Sequence, residues 1–430
     1  MSTIIDRKLY LDQLINKKQN GLIKIITGIR RCGKSFLLFN LFYNHLIKSG
    51  VKESNIITLI LDDDKNRKYR DPDNLSKYLY SRIKNKEEMY FILLDEVQFA
   101  IKNDEIKNNN EIRLYGILNG LLRLDNVDIY ITGSNSKFLS SDILTEFRGR
   151  GDEVRVYPLS FSEYYSSCAN KDKLDVWNEY SMFGGMPALI LKKTDEEKIK
   201  YLKDLINNTY IKDVIERNNI KNNTVIDSLF NILASSIGSL TNPTKLANTF
   251  KSNGIKVTDV TLSNYINMLK DSFIIEQAER YDIKGKKYIN SPFKYYFTDI
   301  GLRNSRINYR QQEQTHIMEN IIYNELIIRG FAVDVGIIEH TIRDKEKKQK
   351  QIQLEVDFVC NKGMNKYYIQ SAFSIPNEEM NQETSSLDKI NDSFKKIIVT
   401  QDFSKPWKTE KGYLIINIID FLLDSNSLDL

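Results

Sequence analysis

Cysteine and histidine are too scarce in this chain to carry chemistry by number. Cys32, Cys168 and Cys360 lie far apart, and so do His45, His316 and His340. No spacing among them suits a disulfide framework or a cysteine-based zinc site, and the pattern fits a reducing compartment. Charge of either sign is nearly balanced: 62 basic against 57 acidic residues leave a formal +5. That permits a nucleic-acid partner without calling for one. No run approaches the ~20 apolar residues of a membrane span. The opening MSTIIDRKLY lacks the apolar core of a secretory signal. A cytoplasmic location and no membrane partner are therefore expected. What is present is a globular composition, 41% hydrophobic and 28% charged, long enough at 430 residues for two or three domains.

The most specific stretch is Gly28-Ile29-Arg30-Arg31-Cys32-Gly33-Lys34-Ser35, followed by Phe36. It fits the phosphate-loop pattern G-x-x-x-x-G-K-[ST]. The apolar run Ile23 to Thr27 before it reads as a strand, and Ser35 to Ile47 after it as a helix. Gly28 and Gly33 permit a backbone path that turns successive N–H groups onto phosphate oxygens, at the positive end of the new helix. Lys34 would reach the β- and γ-phosphates, and Ser35 would hold Mg²⁺.

Two further strands are expected at Asn55 to Leu61 and Tyr90 to Leu94, the second ending in Asp95-Glu96. An apolar strand with carboxylates at its C-terminal end opens onto the ligand crevice of a parallel sheet. Asp95 would accept water from the Mg²⁺ shell, and Glu96 would act as general base on the attacking water. The strand Val127 to Thr132 is followed by Gly133-Ser134-Asn135-Ser136. Asn135 or Ser134, and less strongly Thr132, would stand beside the γ-phosphate. Arg148 and Arg150, in Arg148-Gly149-Arg150-Gly151, are candidates for an arginine that completes the site, within the chain or from another copy in a homo-oligomer.

These motifs, with the Gly149 to Tyr165 stretch and the turn Phe183-Gly184-Gly185-Met186-Pro187, resemble the prokaryotic AAA-type ATPases of the archaeal-ATPase-like family. The resemblance runs along nearly the whole chain. It implies ATP as ligand, Mg²⁺ as cofactor and ATP hydrolysis on Gly33, Lys34, Ser35, Asp95 and Glu96. It leaves the biological role open.

Beyond the loop domain, Val225 to Ile237, Thr244 to Lys251 and Thr258 to Lys270 read as helices, and Phe273 to Ile289 as a hairpin with a basic glycine turn. Three helices and a hairpin make a winged helix. Ser263, Asn264 and Asn267 would face a DNA groove, and Lys284, Lys286 and Lys287 its phosphates. Residues 303–315 are polar and read as a loop. Towards the C-terminus, a helix with Glu319, a strand with Glu355-Val356-Asp357 and a strand with Gln370-Ser371-Ala372 resemble a restriction-endonuclease-like fold. That resemblance implies Mg²⁺ on Glu319 and Asp357 and a lysine that activates water. The lysine position holds Ala372, Gln370 is a poor Mg²⁺ ligand, and Lys366 is far along the strand, so weakened or absent cleavage is expected.

The expected class is thus α/β in three parts. A P-loop AAA-type parallel sheet spans 1–158, a helical and winged-helix domain 159–300, and a small nuclease-like α/β domain 301–430. The primary expectation is an ATPase, with DNA a candidate partner. The alternatives are an ATP-regulated DNA nuclease and a non-hydrolysing, nucleotide-gated DNA-binding or scaffold protein.

Overall fold

The computed structural model describes residues 5–102, 105, 112–133, 149–168, 171–310, 313–343, 349–374, 384–402 and 404–430. The chain divides into two compact units. The first is Met1–Pro158 with Asp271–Phe273, and the second is Leu159–Lys270 with Ile274–Leu430.

The first unit is built on five strands: β1 (Ile23–Thr27), β2 (Ile56–Ile60), β3 (Tyr90–Asp95), β4 (Val127–Thr132) and β5 (Gly151–Arg155). All neighbours run parallel, in the order β2-β3-β4-β1-β5. Every residue of β1, β3 and β4 is buried, as strands covered on both faces must be. Helices Pro72–Arg82 and Arg113–Leu122 supply Leu75, Leu79, Leu114 and Leu118 to a core shared with Ile25, Leu94 and Ile131.

One ion pair lies inside this sheet. Lys24 of β1 reaches Asp128 of β4, with 0% and 3% of the side chains exposed. The Lys24 amine also donates to the Leu22 carbonyl at 2.9 Å, and Tyr130 donates to the other Asp128 oxygen at 2.9 Å. A buried charge is tolerable only when so paired. The pair fixes β1 against β4, and the end of β4 lies between the ends of β1 and β3.

The second unit holds an eight-stranded mixed sheet in the order β12-β13-β11-β10-β9-β8-β6-β7. The strands are β6 (Ile275–Asp282), β7 (Lys287–Phe297), β8 (Ala332–Arg343), β9 (Gln349–Lys362), β10 (Asn365–Ala372), β11 (Lys395–Thr400), β12 (Trp407–Lys408) and β13 (Leu414–Asn417). Helices Asn223–Ser235, Pro243–Ser252 and Asp259–Asp271 precede the β6–β7 hairpin, in the order read from the sequence. The hairpin is not a free wing, however. β6 pairs in parallel with β8 through Arg280↔Val335 and Tyr281↔Gly336. The division expected at residue 300 therefore runs through one sheet. Its cause is a non-local pairing, which no local pattern announces.

The segment read as a loop from residue 303 also differs. Ile300–Arg306 is a helix with Arg303, Asn304 and Ser305 buried. The polarity serves backbone carbonyls. Arg303 Nε donates to Ala234 O at 2.7 Å, and Asn304 Nδ2 donates to Ser181 O and Met182 O at 3.0 Å each. Asp299 caps this helix at the Leu302 amide and accepts from the Gly185 amide at 2.7 Å. A Cβ on Gly184 would stand 2.3 Å from the Asp299 carboxylate, and one on Gly301 1.7 Å from Phe183 O. The Phe183-Gly184-Gly185 turn is thus a packing clamp.

Burial pushes the Asp299 carboxyl up to about 6 from an ordinary 3.8, against the lowering effect of its backbone amide partners. The folded chain holds this proton between those values while the unfolded chain releases it. Stability should therefore fall as pH rises through that window. About two pH units correspond to about 3 kcal/mol. Asp299→Asn keeps one of the two acceptor oxygens, sets an amide donor against the partner of the other and cannot ionise, so the comparison is between the two pH slopes and not the absolute stabilities. Urea unfolding of the two proteins should show wild-type losing about 2 kcal/mol more stability than the variant from pH 4 to 6, the share of the full difference that falls in that interval. Parallel pH profiles would contradict this assignment.

Candidate nucleotide site and a second polar cluster

Thr27 ends β1, and the chain turns through Gly28 (φ 135°), Arg31 (φ 65°) and Gly33 (φ 101°) before the helix begins at Lys34. A Cβ on Gly28 would lie 2.1 Å from the Val156 carbonyl, so only glycine lets the loop pass so close to the segment after β5. Ile29 and Cys32 are buried and fasten the loop from beneath, with Cys32 Sγ 3.3 Å from Val156 O. Arg7 spans the same seat, donating to Cys32 O at 3.3 Å and to Tyr157 O at 2.6 Å. Arg30, Arg31, Ser35 and Phe36 are exposed. Lys34 is only 4% exposed, and its amine donates to Gly28 O at 2.9 Å and Ile29 O at 3.1 Å. The loop is a curl of backbone around one ammonium.

Asp95 stands at the end of β3, 3% exposed. Thr132, at the end of the adjacent β4, donates its hydroxyl to Asp95 Oδ1 and accepts from the Glu96 amide at 3.1 Å. Burial raises the Asp95 carboxyl above its ordinary value, while hydrogen bonds from Thr132 and Ser35 pull it down. Ser35, Asp95, Thr132 and Glu96 thus form one connected network beside the loop. Glu96 itself takes a left-handed backbone, φ 51° and ψ 51°, which costs a non-glycine residue about 1 kcal/mol. Gln98 Nε2 donates to Glu96 Oε2.

The sequence ranked Thr132 below Ser134 and Asn135. Those two, with Arg148, lie outside the described residues. Arg150 is exposed and sits just before β5, where its carbonyl accepts from the Ile23 amide at 2.8 Å. That is the starting end of the strands, the length of β1 away from Gly28, roughly 16 Å for five residues.

The second unit gathers another cluster. Glu319 on helix Gln314–Ile328 and Glu355 and Asp357 on β9 converge on Lys294 of β7, and Gln370 on β10 accepts from the Asp357 amide at 3.4 Å. The Lys294 amine lies 2.8 Å from Glu319, 2.7 Å from Glu355 and 3.7 Å from Asp357. Tyr296 donates to Glu319 at 2.6 Å, and the Ser371 amide to Asp357 at 2.8 Å. Burial alone would raise Glu319, but the ammonium of Lys294, with His316 and Tyr296, holds it below its ordinary value. Burial, reinforced by the charge of Glu319, pushes Asp357 up to about 7. Three carboxylates likewise hold Lys294 above the usual lysine range against its burial. Lys366 is elsewhere, within 6 Å of the rings of Tyr281, Tyr368 and Phe394. The sequence signal for Lys294 was Lys294-x-Tyr296, two polar tips on the inward face of an aromatic strand. Among the described residues no group of His, Cys, Asp and Glu is arranged to hold a metal ion.

On helix Asp259–Asp271, Asn264 and Asn267 are exposed and Ser263 is half-buried; Lys284, Lys286 and Lys287 are exposed. No helix among the described residues is long and apolar enough to cross a membrane.

Residues 20–165 match the family model described as an AAA domain, and residues 174–313 match a domain of unknown function (DUF8612). An uncharacterized protein of Haemophilus influenzae is 32% identical over 427 residues, covering 98% of this chain and 99% of that one. An uncharacterized protein of Methanocaldococcus jannaschii is 28% identical over 435 residues, 96% and 89% of the two chains. Among solved structures, the Walker-type ATPase PabY2304 of Pyrococcus abyssi aligns with 70% of this chain and 96% of its own, at TM-score 0.49 and 17% identity.

Proposed function

The chain belongs to the same family as the Haemophilus influenzae protein and carries an AAA domain at its head; from that premise we propose that it binds ATP and hydrolyses it with Mg²⁺. The observation that carries the reading is the network of Ser35, Asp95, Thr132 and Glu96 set against the Gly28–Gly33 curl. The curl fits phosphate because its glycine path offers amides where a Cβ has no room. Amides from Gly28 to Phe36 face the phosphate oxygens, and Lys34 exchanges two carbonyl partners for the β- and γ-phosphates. Ser35 and Asp95 would hold Mg²⁺, which supplies charge neutralisation on the phosphoryl oxygens when bound. Glu96 orients and deprotonates the attacking water. Asn135 would serve as the γ-phosphate sensor, and Arg148 or Arg150, from the same chain or another copy of a homo-oligomer, would complete the site. Hydrolysis then drives a conformational change passed along the chain to the second unit.

For the partner of that unit, a specific observation favours nucleic acid. A cleft of about 630 Å³ lies beside helix Asp259–Asp271 and is lined by Lys251, Lys256, Thr258 and Thr261, donors suited to a phosphate backbone. Asn264 and Asn267 on that helix and the lysines at 284, 286 and 287 are further exposed polar groups of this unit.

Phosphate release from ATP and Mg²⁺, with and without duplex DNA, tests the reading. Turnover, faster with DNA, is expected. Binding without turnover would replace it with a nucleotide-gated scaffold, and no binding of ATP would overturn it.

A further inference from the structure

The cluster around Lys294 stands apart from the nucleotide site, and nothing in the proposed ATPase reading uses it. Three carboxylates, from a helix and one strand, surround one point, and that point holds an ammonium. Lys294 is 3% exposed, and its ammonium lies within hydrogen-bond distance of Glu319 and Glu355 and 3.7 Å from Asp357. Glu319 and Asp357 have further partners. Tyr296 occupies the Glu319 Oε1 side, His316 faces Oε2 at 3.7 Å, and the Ser371 amide holds Asp357 Oδ2. Gln370 is turned onto the Asp357 amide at 3.4 Å. A backbone turn closes the top. A Cβ on Gly238 would stand 2.9 Å from Glu319, and Thr241 and Phe293 exchange two 2.8 Å hydrogen bonds that sew the turn to β7.

We propose that Lys294 is a built-in cation filling the place a divalent ion would take among Glu319, Glu355 and Asp357, so that this site takes up no divalent metal and cleaves no phosphodiester. The reason is spatial and electrostatic. Mg²⁺ or Mn²⁺ needs oxygens at about 2.0–2.2 Å. The point between the three carboxylates is held by the ammonium, 2.7 Å and 2.8 Å from two of them and 3.7 Å from the third, so no such shell is open to an ion. Two cations there would repel within a few ångströms at low dielectric. Removing the ammonium leaves buried carboxylates without a counter-charge, a state that is costly and that a divalent ion relieves.

The test uses the full chain, free of nucleotide, with Mn²⁺ as probe. Uptake is read by the loss of the free Mn²⁺ paramagnetic signal, and stability by thermal unfolding. Wild-type should show no Mn²⁺ uptake that depends on Asp357, judged against Asp357→Asn. Lys294→Ala should be destabilised, should regain stability in millimolar Mn²⁺, and should bind that ion at least about tenfold more tightly than wild-type. Adding Glu319→Gln to Lys294→Ala should abolish the gain. Uptake by wild-type that Asp357→Asn removes would overturn the proposal. So would a Lys294→Ala protein, folded or not, that millimolar Mn²⁺ neither stabilises nor binds. Because these readouts exclude ATP, their failure is separable from failure of the ATPase reading.

Discussion

With Glu96 replaced by Gln, ATP should bind as before and stay, with turnover reduced about 10²- to 10⁴-fold, the range that a positioned general base supplies. The substitution is nearly isosteric. Gln fits the left-handed position as well as Glu does, since the backbone there is fixed by the Glu96 amide bonded to Thr132 and by the short helix Val97–Ala100. What changes is the capacity to accept a proton from water. The loop, Lys34, Ser35 and Asp95 keep their contacts, so the dissociation constant for ATP should move by less than about threefold while single-turnover hydrolysis collapses. Filter binding with labelled ATP, followed by release of phosphate over time, separates the two quantities. Hydrolysis by Glu96→Gln at the parental rate would remove Glu96 from the role of base.

How far this site was legible from residues alone depends on distance along the chain. Gly28 to Ser35 is a local pattern, and its strand and helix flanks are local too, so the loop could be read directly. Asp95 and Glu96 followed because an apolar run ending in two carboxylates has one natural place in a parallel sheet. The contact of Thr132 with Asp95 and Glu96 was not legible locally, for a physical reason. Its value comes from β4 lying between β1 and β3, and strand order is a property of the whole sheet. Arg150 was singled out as an arginine that follows the last expected strand and could reach a γ-phosphate across a subunit interface; its place at the starting end of β5 is a property of the folded sheet. The second unit was harder. Joining β6 to β8 requires pairing residues more than fifty positions apart, Arg280 with Val335. Lys294 reaches Glu319 from another element and supplies an amine where Ala372 had signalled its loss. Arg303, Asn304 and Ser305 looked like loop polarity, but each serves a buried carbonyl or capping contact. Polar residues identify their partners only once the elements are placed.

Lys34→Ala should weaken ATP binding about 100-fold or more, enough to abolish tight binding, while leaving the fold intact. In the protein as it stands, the ammonium is held by two carbonyls of its own loop, Gly28 O and Ile29 O. Charge-assisted bonds to neutral carbonyls are weaker than bonds to phosphate oxygens, so the lysine is poised to exchange the first for the second. Losing that exchange forfeits about 3 kcal/mol, which corresponds to the stated factor. The fold should survive because the seat of the loop lies elsewhere, in Cys32 against Val156, Arg7 against Tyr157 and the buried Ile29. The two freed carbonyls can turn to water at the loop mouth. Titration calorimetry with ATP and Mg²⁺ measures the affinity, and unfolding in urea shows whether stability stays within about 1 kcal/mol of wild-type. Lys34→Arg should not rescue binding, since a planar fork cannot occupy the curl that encloses a compact ammonium. Affinity for ATP retained in a well-folded Lys34→Ala protein would mean that the Gly28–Gly33 curl is not where the triphosphate lies.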